Sequence, residues 1–258
     1  MGASQQPSGR DAAEDTFPKL LRMHARVRGD RPAFRLKDRG IWQTWTWVEV
    51  YDNVRAIALG LKKLGVAEGD KVAIVGANRP LLYWTLCAAQ MLRATPVPVY
   101  ADAVADELAY VLENADVKVA AAQDQEQVDK LLSIADRLPT LEHIVYDEDR
   151  GLRDYTQKNI SALNDIIEAS AKALVSEASL GRMLDELIDA GRADDASIML
   201  YTSGTTGRSK GVVLAAGRSV QAARDTVAFD GLTDKDEQLA YLPLAWVGDH
   251  YLNYAQAL

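Results

Sequence analysis

Between residues 71 and 146, short apolar runs alternate with longer amphipathic ones, and this rhythm constrains the fold more than anything else in the chain. Residues 71–75, 97–100, 117–121 and 144–146 read as strands. Residues 78–92, 106–114 and 125–137 read as helices, the first opened by Asn78 and Pro80. Strands alternating with helices give a mostly parallel sheet flanked by helices. The fold class is therefore α/β. Cys87 stands among Leu86, Ala88 and Met91 and reads as core filler, since no basic partner lies near it in sequence.

The flanking segments read with less regularity. Residues 17–26 form a short helix with Pro18 in its first turn. Residues 34–37 and 41–46 are strands around the turn Asp38-Arg39-Gly40. Thr46 and Glu49 have capping-box spacing, and Val50, Val54, Ile57, Leu61 and Leu64 share the helical face behind them, with Gly65 as the stop. Residues 147–195 turn polar and helical and end at Ala193-Asp194-Asp195. Residues 1–15 are small and polar without periodicity, the composition of a disordered tail.

Several classes are excluded by composition. The 258 residues are 48% hydrophobic, enough for one large or two smaller domains. The formal net charge is −8 and no basic stripe occurs, which argues against a nucleic-acid partner. A single cysteine rules out an internal disulfide framework and fits a reducing, cytoplasmic setting. The N-terminus has neither secretory-signal nor myristoylation spacing, and no apolar run could span a bilayer.

The chemistry is concentrated in residues 197–214, SIMLYTSGTTGRSKGVVL. Two apolar strands, 198–201 and 212–214, enclose a loop dense in hydroxyls and glycines. Gly204, Gly207 and Gly211 can take positive φ, which lets consecutive N–H groups converge into an anion nest. Thr202, Ser203, Thr205 and Thr206 add hydroxyl donors, and Lys210 adds a charge on a flexible stem. These are the parts that hold a polyphosphate, each charge-assisted bond contributing about 1.5–3 kcal/mol. The loop is not a Walker A motif. Two residues, not four, separate Gly204 from Gly207, and a strand follows instead of a helix.

Segment 201–214 resembles the phosphate-binding signature of the adenylate-forming superfamily, which comprises acyl- and aryl-CoA synthetases, luciferases and peptide-synthetase adenylation domains. RPAFRLKDRGIWQTWTWVEV, GLKKLGVAEGDKVAIVGANRP and MLRATPVPVYADAVADELAYVLENADVKV are similar to the N-terminal subdomain of the AMP-forming long-chain fatty acid–CoA ligases. The resemblance implies the N-terminal part of that fold, incomplete at the C-terminus. Its divisions would be a tail (1–15), a first α/β part of the AMP-binding domain (16–150), a helical connection (151–195), and the phosphate-loop hairpin with the start of a second part (196–258).

The resemblance further implies that Thr202, Ser203, Gly204, Thr205, Thr206, Gly207 and Lys210 hold the ATP phosphates, with Thr202 a candidate near Mg2+. A carboxylate would attack the α-phosphate, and the acyl group would pass to coenzyme A. The motif LPLAWVGDH matches a segment lining the junction of the acyl tunnel and nucleotide site. Many relatives have His where Trp246 stands, so Trp246 and His250 either line that site or simply pack. Ser209 replaces the usual proline, and Ala215-Ala216 a frequent Thr-His. The family's adenine, metal-Glu, ribose-Asp and catalytic-Lys segments would lie beyond Leu258, so the chain alone is expected not to adenylate at a useful rate.

Implied partners are ATP, a fatty acid and coenzyme A, with no nucleic acid. Peripheral membrane contact would follow from a substrate that partitions into bilayers. Two other readings stay open: an adenylating enzyme for a shorter acyl, aryl or amino acid, and a non-catalytic binding or dimerisation module that kept the fold. The remaining polar and aromatic residues read as structural. His24 is a solvated helix residue, His143 a strand-edge residue, and Asp147-Glu148-Asp149 a solvated loop. Trp45 and Trp47 pack on one face, and no basic residues make a stacking platform of them and Trp42.

Overall fold

Lys71–Val75 (β3), Thr95–Val99 (β4), Val117–Ala122 (β5) and His143–Tyr146 (β6) form an all-parallel sheet in a computed structural model describing residues 14–202 and 208–258. A fifth strand, Ile160–Ala162 (β7), completes the order β4-β3-β5-β6-β7. Pro80–Met91 (α3), Ala105–Asn114 (α4) and Gln125–Ser133 (α5) are the crossovers. The expected third helix breaks at Ile134 and resumes as one 3-10 turn, Ala135–Arg137. Arg79, whose side chain makes no capping bond, is the N-cap of α3, and Asn78 is used elsewhere.

Both faces of the sheet are buried, and strand alternation divides the core. Val72, Ile74, Val119 and Ala121 face one cluster, while Ala73, Val75, Ala120 and Ala122 face the other. The first cluster is covered by Phe17–Arg28 (α1), Trp47–Lys63 (α2), α3, Leu163–Ser176 (α6) and Ala178–Ala190 (α7), and the second by α4 and α5. The capping box forms as read: Glu49 N–H reaches Thr46 Oγ1, and Thr46 N–H reaches the Glu49 carboxylate at 2.7 Å. An antiparallel hairpin, Pro32–Asp38 (β1) and Ile41–Thr46 (β2), turns through Arg39 and Gly40, both at positive φ. Such a turn matches the twist of its strands.

The structure differs from the sequence reading at several places. The 151–195 stretch is no mere connection: it contributes β7 and the helical layer α6–α7, which packs on α2. Because β7 pairs with β6, His143 sits inside the sheet, with Nε2 2.9 Å from Ser161 Oγ. His24 is buried at 5% exposure, tilted on Trp47, with Nε2 2.6 Å from the Leu258 carbonyl oxygen. It differs from a solvated helix residue because the C-terminal segment that covers it is distant in sequence. Trp47 belongs to α2, so strand alternation does not relate it to Trp45, which packs edge-on against Trp84. Asp147 is half-buried and paired with Arg79 at 3.4 Å, so only its neighbours form a solvated loop. Residues 1–13 of the expected tail lie outside the described residues. Among the described residues no helix is long and apolar enough to cross a membrane.

Gly60 fixes how α6 meets α2. A Cβ there would lie 2.1 Å from Ile166 Cγ2. Gly60→Ala should gain about 1 kcal/mol of helix propensity and lose about 1–3 kcal/mol to overpacking. The expected result is a net fall in denaturant midpoint, measured by urea unfolding.

Candidate functional site

Strand Ala196–Thr202 (β8) carries the candidate site because it is read by both cores. Ile198 and Leu200 enter the first cluster, while Met199 and Tyr201 lie against the second. It runs beside β4. Pro96 and Pro98 explain why the parallel ladder stops there. β4 pairs with β3 along its whole length, so its donors to β3 are residues 95, 97 and 99. The prolines then place their missing N–H groups on the opposite edge, facing β8. Arg93 fixes the start of β8 through two 2.8 Å bonds to Asp195, whose carboxyl is held below its usual range by that guanidinium.

β8 turns back into Lys210–Ala215 (β9), an antiparallel partner whose register sets Thr202 opposite Lys210. Both residues are exposed where the loop leaves the hairpin. Ser203, Gly204, Thr205, Thr206 and Gly207 lie outside the described residues. Gly211 differs from its reading, since it is not among the positive-φ glycines. Its role is space: a Cβ would lie 2.1 Å from Met199 Cε and 3.3 Å from the Tyr201 ring. The hairpin is also held from α4. Tyr201 donates to Asn114 Oδ1 at 2.7 Å, and Tyr110 donates to the Ser209 carbonyl at 2.9 Å. The Arg208 guanidinium lies over the Tyr110 ring, 5.3 Å from its centroid. Burial pushes the Tyr201 hydroxyl up to about 12, keeping it a donor.

The second candidate segment returns after Ala216–Asp230 (α8). Trp246 is half-exposed at 47%, in a turn where its N–H reaches the Pro243 carbonyl at 2.8 Å. His250 is 1% exposed, on the π-helical segment Asp249–Ala255, with Phe17 edge-on and Tyr254 stacked against it. Its Nε2 is 3.4 Å from Ser197 Oγ, and its Nδ1 has no hydrogen-bond partner among the described residues. Ser197 lies five strand residues before Thr202, about 17 Å along β8. The structure therefore pairs Thr202 with Lys210 and sets His250 at the other end of the strand, in core packing.

A network not anticipated from sequence anchors this segment. Asp249, 2% exposed, accepts from Tyr83 at 2.7 Å, Asn78 at 2.9 Å and Asn253 at 2.7 Å. Asn78 also donates to the Leu242 carbonyl at 2.9 Å. Burial raises the Asp249 carboxyl above its usual range, opposed by the three hydrogen bonds. The adjacency of Asn78 to Pro80 suggests a helix opening; its partners Leu242 and Asp249, more than 160 residues away, have no local signal. Cys87 is buried in α3 with its thiol pushed up to about 12, an inert core position. Among the described residues no cluster of His, Cys, Asp and Glu could hold a metal ion. Thr202 offers one oxygen, which fits Mg2+ only when phosphates supply the other ligands.

The family described as AMP-binding enzyme matches residues 21–258. The long-chain-fatty-acid–CoA ligase FadD15 of Mycobacterium bovis is 30% identical over 237 residues, 90% of this chain and 37% of that protein. The human long-chain-fatty-acid–CoA ligase ACSBG2 is 28% identical over 233 residues, 90% of this chain and 34% of that protein. The chain thus spans about a third of the length of the curated relatives it matches. Acetoacetyl-CoA synthetase from Streptomyces lividans superposes with a TM-score of 0.73 at 19% identity, over 92% of this chain and 36% of that one. The anthranilate CoA ligase AuaEII, solved with anthranoyl-AMP, gives 0.68 at 24%, over 87% and 38%.

His250 generates a pH prediction. Burial lowers its pKa to about 3, against about 6.5 in the unfolded chain. The unfolded state therefore binds more protons below pH 6.5, and stability falls as pH drops from there towards 3. The slope is at most about 1.4 kcal/mol per pH unit for this group. Burial also lowers His24 and His143, which adds to the same limb. Urea midpoints measured from pH 7 to 5 should decline, and His250→Phe should flatten part of that decline. Gly211→Ala should lower the midpoint by an amount corresponding to about 1–3 kcal/mol, as Met199 and Tyr201 are displaced.

Proposed function

The chain belongs to the AMP-binding enzyme family, and from that premise we propose that it carries the triphosphate-holding part of an ATP-dependent ligase that activates a long-chain fatty acid. The observation that supports this most is the hairpin itself. Thr202 and Lys210 stand opposite each other at its open end, with the hydroxyl- and glycine-rich residues 203–207 between them. In this reading Ser203, Gly204, Thr205, Thr206 and Gly207 supply backbone and hydroxyl donors to the phosphates. Lys210 neutralises charge on them. Thr202 contributes one oxygen to a Mg2+ that arrives with the nucleotide.

The acid's carboxylate oxygen attacks the α-phosphorus, the bond from that phosphorus to the α,β-bridging oxygen breaks, and pyrophosphate leaves with an acyl-adenylate remaining. The thiol of coenzyme A then attacks the acyl carbon, its proton is lost to solvent or base, and AMP departs. The first step needs positioning and charge neutralisation, without a protein nucleophile. In this reading Trp246, exposed beside Val247, presents apolar surface for the acid, and His250 supports the segment from the core.

The long-chain reading draws on the named relatives, FadD15 and ACSBG2. The second reading, a different acid, draws on the solved neighbours, whose names specify anthranilate and acetoacetate. A third, a silent module of the same fold, is separated by nucleotide binding. Calorimetric titration with MgATP should give saturable heat, and Lys210→Ala should weaken binding tenfold or more, the equivalent of about 1.5–3 kcal/mol for one charge-assisted contact. No heat with the wild-type chain would leave the silent module as the better reading. Pyrophosphate exchange by the chain alone should stay at background with palmitate or anthranilate. Robust acid-dependent exchange would show instead that these 258 residues suffice for adenylation, and the preferred acid would then name the substrate.

A further inference from the structure

Two side chains on α4 hold both arms of the candidate phosphate loop. Tyr110 and Asn114 are one turn apart, so they share a face of the helix. Asn114 accepts from Tyr201, the residue just before Thr202 on the outgoing arm. Tyr110 donates to the carbonyl of Ser209, the residue just before Lys210 on the returning arm. The ring of Tyr110 also holds the Arg208 guanidinium, for which no acidic partner is present among the described residues.

We propose that Tyr110, with the Asn114–Tyr201 pair, is a positioning residue for phosphate binding: it fixes the mouth of the loop from a helix that contributes nothing to the loop's sequence. The peptide unit is planar. Anchoring the Ser209 carbonyl therefore orients the Ser209–Lys210 peptide, including the Lys210 amide and the base of its side chain. The other tether fixes the end of β8 in the same way, through Tyr201. Thr202 and Lys210 are thus carried on two held arms, and arms already held in place cost less to order when a polyanion binds between them. Ser209 gives the clamp its purpose. A serine leaves φ of the returning arm free where a proline would fix it, and the Tyr110 hydrogen bond supplies that restraint from outside the segment.

This inference rests on the reading of residues 202–210 as a triphosphate loop, and the experiment separates the two. MgATP and magnesium tripolyphosphate are titrated into the full chain and into Tyr110→Phe, Tyr201→Phe and the double variant, with thermal midpoints and amide exchange of residues 208–211 recorded for each. The wild-type chain should bind both ligands. Tyr110→Phe should bind each three- to tenfold more weakly, with faster exchange at 208–211 and a thermal midpoint within a few degrees. Adding Ser209→Pro to Tyr110→Phe should restore most of the affinity, because the arm is then restrained from within. That rescue would not follow from a general packing role for Tyr110. Wild-type affinity in Tyr110→Phe, or weakened affinity that Ser209→Pro leaves unrescued, overturns the clamp while the loop reading stands. If Tyr110→Phe melts far below the wild type, Tyr201→Phe decides by the same criteria for the outgoing arm. A wild-type chain that binds neither ligand overturns the loop reading and the clamp together.

Discussion

The placement of one strand between two cores governs the rest. β8 presents Ile198 and Leu200 to one apolar cluster, and Met199 and Tyr201 to the other. A slip of one residue would exchange these sets and bury the wrong side chains on both faces. The register of β8 is therefore fixed from both sides, and with it the height at which Thr202 leaves the sheet. β9 inherits that register through six paired positions, ending on Thr202 and Lys210. The proposed phosphate chemistry rests on residues 202–210, and the two points where that segment joins the hairpin are set by the packing of β8. A site on the margin of a buried strand is better placed than one on a free loop.

The C-terminal segment is fixed by a different force. Its apolar contacts are modest: Leu244 and Ala245 are buried, but Leu239, Tyr241, Trp246 and Val247 face outward. The Asp249 carboxylate compensates, drawing donors from α3, from the preceding loop and from its own π-helical turn. A buried carboxylate with no cation is stable only when its lone pairs are met. Here three neutral donors converge on one oxygen, so removing any of them would leave charge exposed to an apolar interior. This concentration of polar contacts accounts for the position of Trp246 at the surface while His250, four residues later, goes into the core.

Local patterns in the sequence were a good guide where local forces decide. The capping box at Thr46 and Glu49, the turn at Arg39-Gly40 and the central strands follow from neighbours within a few residues, and each forms as read. The hairpin flanking residues 203–207 was legible for the same reason. What escaped was long-range. The three-residue β7 is too short to give a periodic signal, so the sequence alone leaves His143 at a sheet edge. His24 has polar neighbours in sequence, but the Leu258 carbonyl meets it in space. Gly211 sits in a glycine-rich loop, which suggested positive φ, whereas the side chains of Met199 and Tyr201 claim its Cβ space from the facing strand. The α4 tethers were invisible because Tyr110 and Asn114 fit an ordinary amphipathic helix.

Charge makes the local geometry decisive. At a net charge of −8, the protein as a whole repels a nucleotide polyanion. That repulsion is screened over about 8 Å at physiological ionic strength, so a few cations at the binding point can outweigh it. The hairpin supplies two within three residues, Arg208 and Lys210, and carries no acidic residue from Ser197 to Leu214. Arg208 rests on the Tyr110 ring, at a cost in hydration smaller than an ammonium would incur. Lys210 remains exposed at the head of β9. In the proposed reading, a repulsive background with a small attractive point favours a ligand that brings its own counterion, because a bound magnesium would lower the charge that must be approached and leave phosphate oxygens for amide and hydroxyl donors. The same balance disfavours nucleic acid, whose extended charge would meet the acidic surface on either side of so small a point.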